Sequence, residues 1–81
     1  MKLNEIINTI NEVLVEEFEV DESSIEANAN FRETLELDSL DYVDLVVFVE
    51  QGFNVKLTAD DFQQVVTFDD FYKLILKKIN E

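Results

Sequence analysis

Turn-forming residues are nearly absent from this chain, which has one glycine and no proline in 81 residues. A sheet of many strands needs frequent turns, and glycine and proline supply most of them. The chain also has no cysteine for a disulfide framework. Because 47% of its residues are hydrophobic, it can still fill a core. The sequence therefore predicts an all-α fold in which residues 1–81 form a single domain.

Hydrophobic residues recur three or four apart at the start and in the middle of the chain. From Leu3 to about Phe18 they form one side of an amphipathic helix. The segment from Asp38 to Phe53 is apolar enough for a buried strand, but its ends favour a helix. Asp38 can cap the N-terminus, and Gly52 lies where such a helix would end. Both segments are predicted to be main helices.

Two threonines indicate further helix starts in the last third of the chain. Thr58 begins a helix of about one or two turns, and Thr67 begins a third main helix with acids in its first turn and lysines in its last. Residues 19–38 predict a long connection, in which Ser23 with Glu26 could cap one short turn. The predicted architecture is a four-helix bundle with three main helices, a short third helix and a long first loop.

Acidic residues outnumber basic residues by 19 to 6, which gives a formal charge of −13. This charge repels nucleic acid and anionic membrane surfaces, and it favours encounter with basic protein partners. No apolar run is long enough for a membrane span, and the first residues lack the apolar stretch of a signal peptide. We therefore expect a cytoplasmic monomer with protein partners, no nucleic acid and no membrane insertion.

Histidine and cysteine are both absent from the chain. Nucleophilic dyads and zinc sites of the ordinary ligand type therefore cannot form, and only carboxylates and hydroxyls are left for chemistry. The aspartates at positions 38, 41 and 44 are three apart, whereas a calcium-binding EF-hand loop needs acids at alternate positions. We expect no catalytic residue and no metal site. A small carboxylate hydrolase is a remote alternative.

The motif Asp38-Ser39-Leu40 at the start of the second main helix carries the most information about function. Phe31 lies eight residues before the serine, and an F-x-V-x-L stretch occupies residues 53–57. Together with the acidity, the helix order and the lack of cysteine, these features resemble the acyl carrier protein family over nearly the whole chain. The family's hallmark is an Asp-Ser-Leu triplet at this place. The sequence departs from the family at Glu36, where a glycine is common.

The resemblance implies that Ser39 carries 4′-phosphopantetheine, donated by coenzyme A under a phosphopantetheinyl transferase, with Asp38 and Leu40 completing the motif. The thiol of this arm holds acyl groups as thioesters, which explains why the protein needs no cysteine. A helix N-terminus also favours the negative charge of the attached phosphate. The further partners implied are enzymes that load, elongate and transfer acyl groups.

Two more sets of residues complete the predicted site. One face of the second main helix combines acids with an isolated aromatic, and it is predicted to dock onto basic patches of partner enzymes. This docking face consists of Asp41, Asp44, Val47 and Phe48. In the family, a channel between the second and third helices shelters the acyl chain, and the resemblance assigns its lining to Leu45, Val46, Val49, Phe53, Leu57, Phe62, Val65 and Phe71. Because Phe62 and Phe71 are bulky, we expect a shallow pocket and short or polar cargo.

Several readings of the same residues stay open. The carrier could serve fatty-acid biosynthesis, a polyketide-like pathway or a surface-polymer pathway, and an aminoacyl or peptidyl carrier, such as a D-alanyl carrier, would share the motif. In a different class, an unmodified acidic adaptor would bind a protein through the same helix face. In that case Ser39 would be no more than part of a well-capped helix start.

Overall fold

Five α-helices and one 3-10 turn form the computed structural model, which describes residues 2–80. The elements are α1 (Leu3–Phe18), the 3-10 turn (Glu22–Ser24), α2 (Phe31–Leu35), α3 (Ser39–Phe53), α4 (Ala59–Gln63) and α5 (Phe68–Ile79). The only β-pairing within residues 2–80 is one antiparallel bridge between Asn30 and Thr67. The all-α bundle is confirmed, with the three main helices and the short helix after Thr58 in their predicted places.

A single core lies between the three long helices. In α1, Ile6, Ile10 and Leu14 are four residues apart and fully buried, so one stripe of the helix faces the interior. That stripe packs against α5 and α3. The opposite core wall is largely aromatic: the Phe31 ring stacks on Phe71 with centroids 4.7 Å apart. Burial of these side chains stabilises the bundle at about 25 cal/mol for each Å² of apolar surface removed from water.

The connection between α1 and α3 contains more structure than the sequence indicated. The predicted cap by Ser23 with Glu26 is wrong. Asp21 caps the 3-10 turn instead, and its Oδ1 accepts hydrogen bonds from the Ser23 N–H at 3.0 Å and the Ser23 hydroxyl at 2.8 Å. Aspartate accepts both bonds through one short side chain, which is why it is common at such positions. The pKa of Asp21 is lowered by these bonds.

Helix α2 was not predicted, and it fixes the end of this connection. The Asn30 side chain caps it by accepting a hydrogen bond from the Glu33 N–H at 2.9 Å. The Phe31 N–H donates to the Val66 carbonyl at 2.9 Å, and the Phe68 N–H donates to the Ala29 carbonyl. These bonds tie the connection to the start of α5. Helix α2 is thereby held beside α3 and α4, where the candidate site lies.

The end of α3 also differs from the prediction. Gly52 lies inside the helix, which ends at Phe53, and Asn54 takes the left-handed conformation with φ 56°. The Asn54 N–H donates to the Glu50 carbonyl and so closes the helix. Asparagine adopts this conformation more readily than most residues, because its short polar side chain bonds locally. The glycine is therefore not needed for the helix end.

Asp70 completes a capping box at the start of α5. Its Oδ2 accepts hydrogen bonds from the N–H groups of Thr67 and Val66, both at 3.1 Å. These bonds hold the pKa of Asp70 below its ordinary value. A carboxyl group whose pKa is lower in the folded state than in the unfolded state stabilises the fold above the unfolded pKa of about 3.9. That stabilisation is lost as the pH falls through the folded pKa.

We expect Asp70→Asn to lower the melting temperature near neutral pH, and the deficit to shrink below about pH 4 as the parent carboxyl becomes protonated. Thermal unfolding followed across this pH range measures the effect. Asp60→Asn is the matched control, since Asp60 is an exposed acid in the first turn of α4. A deficit for Asp70→Asn that stays constant with pH would contradict the assignment.

Candidate functional site

Ser39 is the first residue of α3, and it is exposed. The residue before it performs the capping: the Asp38 Oδ1 accepts a hydrogen bond from the Asp41 N–H at 2.9 Å. The Ser39 hydroxyl is therefore not needed as the cap. The first N–H groups of α3 lack partners within the helix, and they carry the positive end of the helix dipole. An anion attached to Ser39 would lie in a favourable field.

A groove with a volume of about 650 Å³ opens beside Ser39. Helix α3 forms one wall of the groove and α4 forms another. Arg32 from α2 and Leu37 also line it. Most of its lining is apolar, with one arginine and one tyrosine among the side chains. The lining residues are Arg32, Leu37, Asp38, Ser39, Tyr42, Val43, Val46, Ala59 and Phe62.

The groove lining differs from the set of residues predicted for an acyl pocket. Of the eight predicted residues, Val46 and Phe62 line the groove. Phe53 is half-buried and packs against the core, and the remaining five are core residues: Leu45, Val49, Leu57, Val65 and Phe71. Helical geometry explains the difference in α3. Leu45 and Val49 lie on the face turned to the interior, whereas Tyr42, Val43 and Val46 lie on the face toward α4.

The predicted docking face is partly exposed. Asp44 is exposed, whereas Asp41 is half-buried. Val47 and Phe48 are 44% and 41% exposed. Phe48 is not isolated, because its ring makes an edge-to-face contact with Phe18 at the end of α1, with centroids 5.9 Å apart. Part of this side chain is thus available to a partner, while its contact with Phe18 joins α3 to α1.

An apolar stripe on α3 adds to this face. Leu40 is 76% exposed and Val43 is 59% exposed, and both follow Ser39 at helical spacing toward Val47. We call Leu40, Val43 and Val47 the α3 stripe. Exposed apolar side chains that adjoin one another are typical of interaction surfaces. Leu40 was predicted only as part of the motif, and Val43 was not predicted to belong to the docking face.

Arg32 and Tyr42 are the groove residues that sequence reasoning missed most clearly. The Arg32 Nη2 donates to the Phe62 carbonyl at 3.4 Å and so reaches from α2 to α4. The Tyr42 hydroxyl is buried and has no hydrogen-bond partner within residues 2–80. Burial raises the pKa of Tyr42, and the positive charge of Arg32 partly opposes this rise. One sequence signal could have located Arg32. Asn30 is a good N-cap residue with Glu33 three positions later, and this pattern predicts a helix start at α2, which contains Arg32.

Residues 2–80 contain neither a candidate metal-binding cluster nor a membrane-spanning helix. Between residues 2 and 80, no three acidic side chains come together in a way that could hold a metal ion. No helix within that range combines the length and the hydrophobicity needed to cross a bilayer.

Comparison with known proteins gives consistent matches over most of the chain. A family model described as phosphopantetheine attachment site matches residues 6–75. The acyl carrier protein of Rubrobacter xylanophilus is 34% identical over 70 residues, which cover 86% of this chain and 86% of the relative. The acyl carrier protein of Petrotoga mobilis is 29% identical over 80 residues, which cover 99% of this chain and 94% of the relative.

A solved structure matches the fold as well. The crystal structure of an acyl carrier protein from Thermotoga maritima superposes with a TM-score of 0.79 at 25% sequence identity. The superposition covers 99% of this chain and 93% of the crystal structure's chain. The similarity therefore extends over the whole bundle as well as the serine motif.

Proposed function

The chain belongs to the acyl carrier protein family, whose prosthetic group is covalent 4′-phosphopantetheine, and from this premise we propose that residues 1–81 form one carrier domain with the attachment point at Ser39. Acyl carrier proteins are carriers and not catalysts. The arm supplies a thiol that holds acyl groups as thioesters. The protein's own residues provide the attachment point, a groove beside it and a surface that partner enzymes bind.

The capping of α3 by Asp38 is the main observation that supports Ser39, above the other serines, as the attachment point. Asp38 caps α3 through its bond to the Asp41 N–H, so an exposed serine stands at the helix start without a structural role for its hydroxyl. The positive end of the helix dipole favours the phosphodiester that would be formed there. The groove begins at the same residue. The residues present therefore fit the prosthetic group.

The groove is the proposed shelter for the acyl chain. Val43 and Val46 on α3 face Ala59 and Phe62 on α4, which gives two apolar walls within reach of Ser39. The core residues predicted for the pocket support these walls from beneath. An acyl chain in the groove would remove apolar surface from water at about 25 cal/mol for each Å².

Partner docking is proposed for the α3 stripe together with Asp44 and Phe48. The exposed apolar side chains supply contact area, and the acids around them attract basic surfaces. The proposed partners are a phosphopantetheinyl transferase and the enzymes that load, elongate and transfer acyl groups. We propose that these enzymes belong to fatty-acid biosynthesis or a related acyl pathway. The cytoplasmic location stays a prediction from the sequence.

Reversal of one docking charge should slow encounter with a basic partner. We expect Asp44→Lys to lower the kcat/KM of modification by a phosphopantetheinyl transferase roughly tenfold at low salt, and less at high salt because ions screen exposed charges. Glu12→Lys on α1 makes the same change in net charge at another exposed position. Kinetics that are independent of salt, or an equal loss for Glu12→Lys, would contradict a local docking role for Asp44.

Intact mass tests the proposed function directly. The protein is incubated with coenzyme A, magnesium and a broad-specificity phosphopantetheinyl transferase, and we expect its mass to increase by one arm. An unmodified mass, on protein shown to be folded by circular dichroism, would contradict the proposal. The acidic adaptor would then be the better interpretation of the docking face.

A further inference from the structure

Two of the residues that line the groove, Tyr42 and Arg32, carry side-chain hydrogen-bond donors, which an aliphatic chain could not pair. We infer that the groove selects short acyl groups carrying an oxo oxygen, with Tyr42 and Arg32 as the donors that recognise it. The inference rests on the proposed carrier function, and it names the class of cargo for the same groove.

Tyr42 is the first observation behind this inference. Tyr42 lines the groove, and its hydroxyl is buried without a partner within residues 2–80. A buried hydroxyl that makes no hydrogen bond is unfavourable, and such groups are rare in folded proteins. A tyrosine hydroxyl keeps its proton at neutral pH, and burial raises the pKa of Tyr42 further, so this hydroxyl is a hydrogen-bond donor. An oxygen acceptor that comes within hydrogen-bond distance of this hydroxyl would remove the unfavourable state.

Arg32 is the second observation. Within residues 2–80 the ion pairs join Lys73 with Asp69 and Lys78 with Asp61, so Arg32 has no carboxylate partner there. Its bond to the Phe62 carbonyl is long, at 3.4 Å, and a guanidinium group has five N–H donors. Arg32 can therefore donate to a further oxygen without giving up this contact. It lines the same groove as Tyr42.

The aromatic packing behind the groove limits the length of the cargo. Phe62 lines the groove, and its ring lies against Phe71 with centroids 5.7 Å apart. Phe71 in turn stacks on Phe31, and both are fully buried. Because protein cores are close-packed, a long chain could not pass this layer without moving it. The groove therefore suits a short acyl group.

A neutral acceptor fits the groove better than an anionic one. Asp38 lines the entrance, and the chain carries a formal charge of −13, so a carboxylate would meet repulsion. An oxo group accepts two hydrogen bonds through one oxygen and needs no donor in return. The two donors in the groove match this requirement.

The test compares matched cargoes on one protein. Coenzyme A, hexanoyl-coenzyme A and 3-oxohexanoyl-coenzyme A are each used to load Ser39, and intact mass confirms loading. We expect the 3-oxohexanoyl form to melt about 4–8 °C above the hexanoyl form, which is the shift that one net hydrogen bond gives in a domain of this size. This difference should disappear in Tyr42→Phe and diminish in Arg32→Gln.

Two control variants make the comparison specific. Tyr72→Phe removes a tyrosine hydroxyl that is bonded to Asn11, and Lys56→Gln removes an exposed positive charge. Both should keep the full difference between the two cargoes. As a direct readout, the ¹³C resonance of the labelled oxo carbon should move downfield in the parent and return toward its solvent value in Tyr42→Phe.

Each failure has a distinct meaning. An absence of loading would overturn the proposed function and this inference with it. Successful loading with equal melting temperatures for the two acyl forms would overturn the inference alone. The inference would also be overturned if Tyr42→Phe lowered the melting temperature equally in the form loaded from coenzyme A, which carries no acyl group. Tyr42 would then bind the arm and not the cargo.

Discussion

We expect Ser39→Ala to abolish addition of the arm while changing the free energy of unfolding by less than about 0.5 kcal/mol. The hydroxyl is the only group at this position that can form the phosphodiester in the proposed site. The small effect on stability follows from the structure, since Ser39 is exposed and Asp38 caps α3. Alanine is also a better helix former than serine. Intact mass and urea unfolding measure the two effects.

Two companion variants separate attachment from capping. Asp38→Ala removes the acceptor for the Asp41 N–H, and it should cost about 1 kcal/mol of stability. Ser24→Ala changes another exposed serine, in the 3-10 turn, and should still receive the arm. If Ser39→Ala were modified, or if it lost as much stability as Asp38→Ala, the serine would not have the role proposed for it.

The main helices could be predicted because their signals are local. Asp38, Thr58 and Thr67 were each proposed as helix starts from the sequence, and each accepts a hydrogen bond from the N–H three residues later. Such a bond depends on a few neighbouring residues, so a short stretch of sequence contains all the information it needs. The same reasoning failed at Gly52, because Asn54 was equally close and could also adopt the left-handed conformation.

The groove could be predicted only in part, because it depends on contacts between distant segments. Helix α2 has five residues, which is too short for a periodic pattern to distinguish it from a loop. Its position comes from backbone bonds to the start of α5, more than thirty residues away along the chain, such as that from Phe31 to Val66. Without α2 there was no reason to place Arg32 beside Tyr42. The motif located the attachment point, while tertiary packing determined what surrounds it.

The position of Phe71 shows the same limit at a single residue. From the sequence, Phe71 was assigned to the lining of an acyl pocket. In the structure Phe71 lies beneath the groove, between Phe31 and Phe62. Helical periodicity identifies a buried face, and it does not identify which neighbours that face meets. The expected consequence of substitution therefore changes from cargo binding to stability.

We expect Phe71→Ala to lower the free energy of unfolding by about 3–5 kcal/mol. The side chain is fully buried, and its removal leaves a cavity between two aromatic rings that have few other ways to repack. Phe48→Ala is the matched control, since Phe48 is 41% exposed and has the edge-to-face contact with Phe18. That variant should lose roughly 1 kcal/mol. Urea unfolding of the three proteins measures the difference.

Phe71→Leu distinguishes support from direct participation in the site. A domain of this size has a small margin of stability, so Phe71→Ala could unfold, whereas leucine fills more of the space and should retain the fold with a smaller loss. Phe71 does not line the groove that adjoins Ser39, so the transferase should modify Phe71→Leu at the parent's rate. A folded Phe71→Leu that is modified slowly would show that Phe71 belongs to the site. A Phe71→Ala no less stable than Phe48→Ala would contradict its role in the layer that supports the groove.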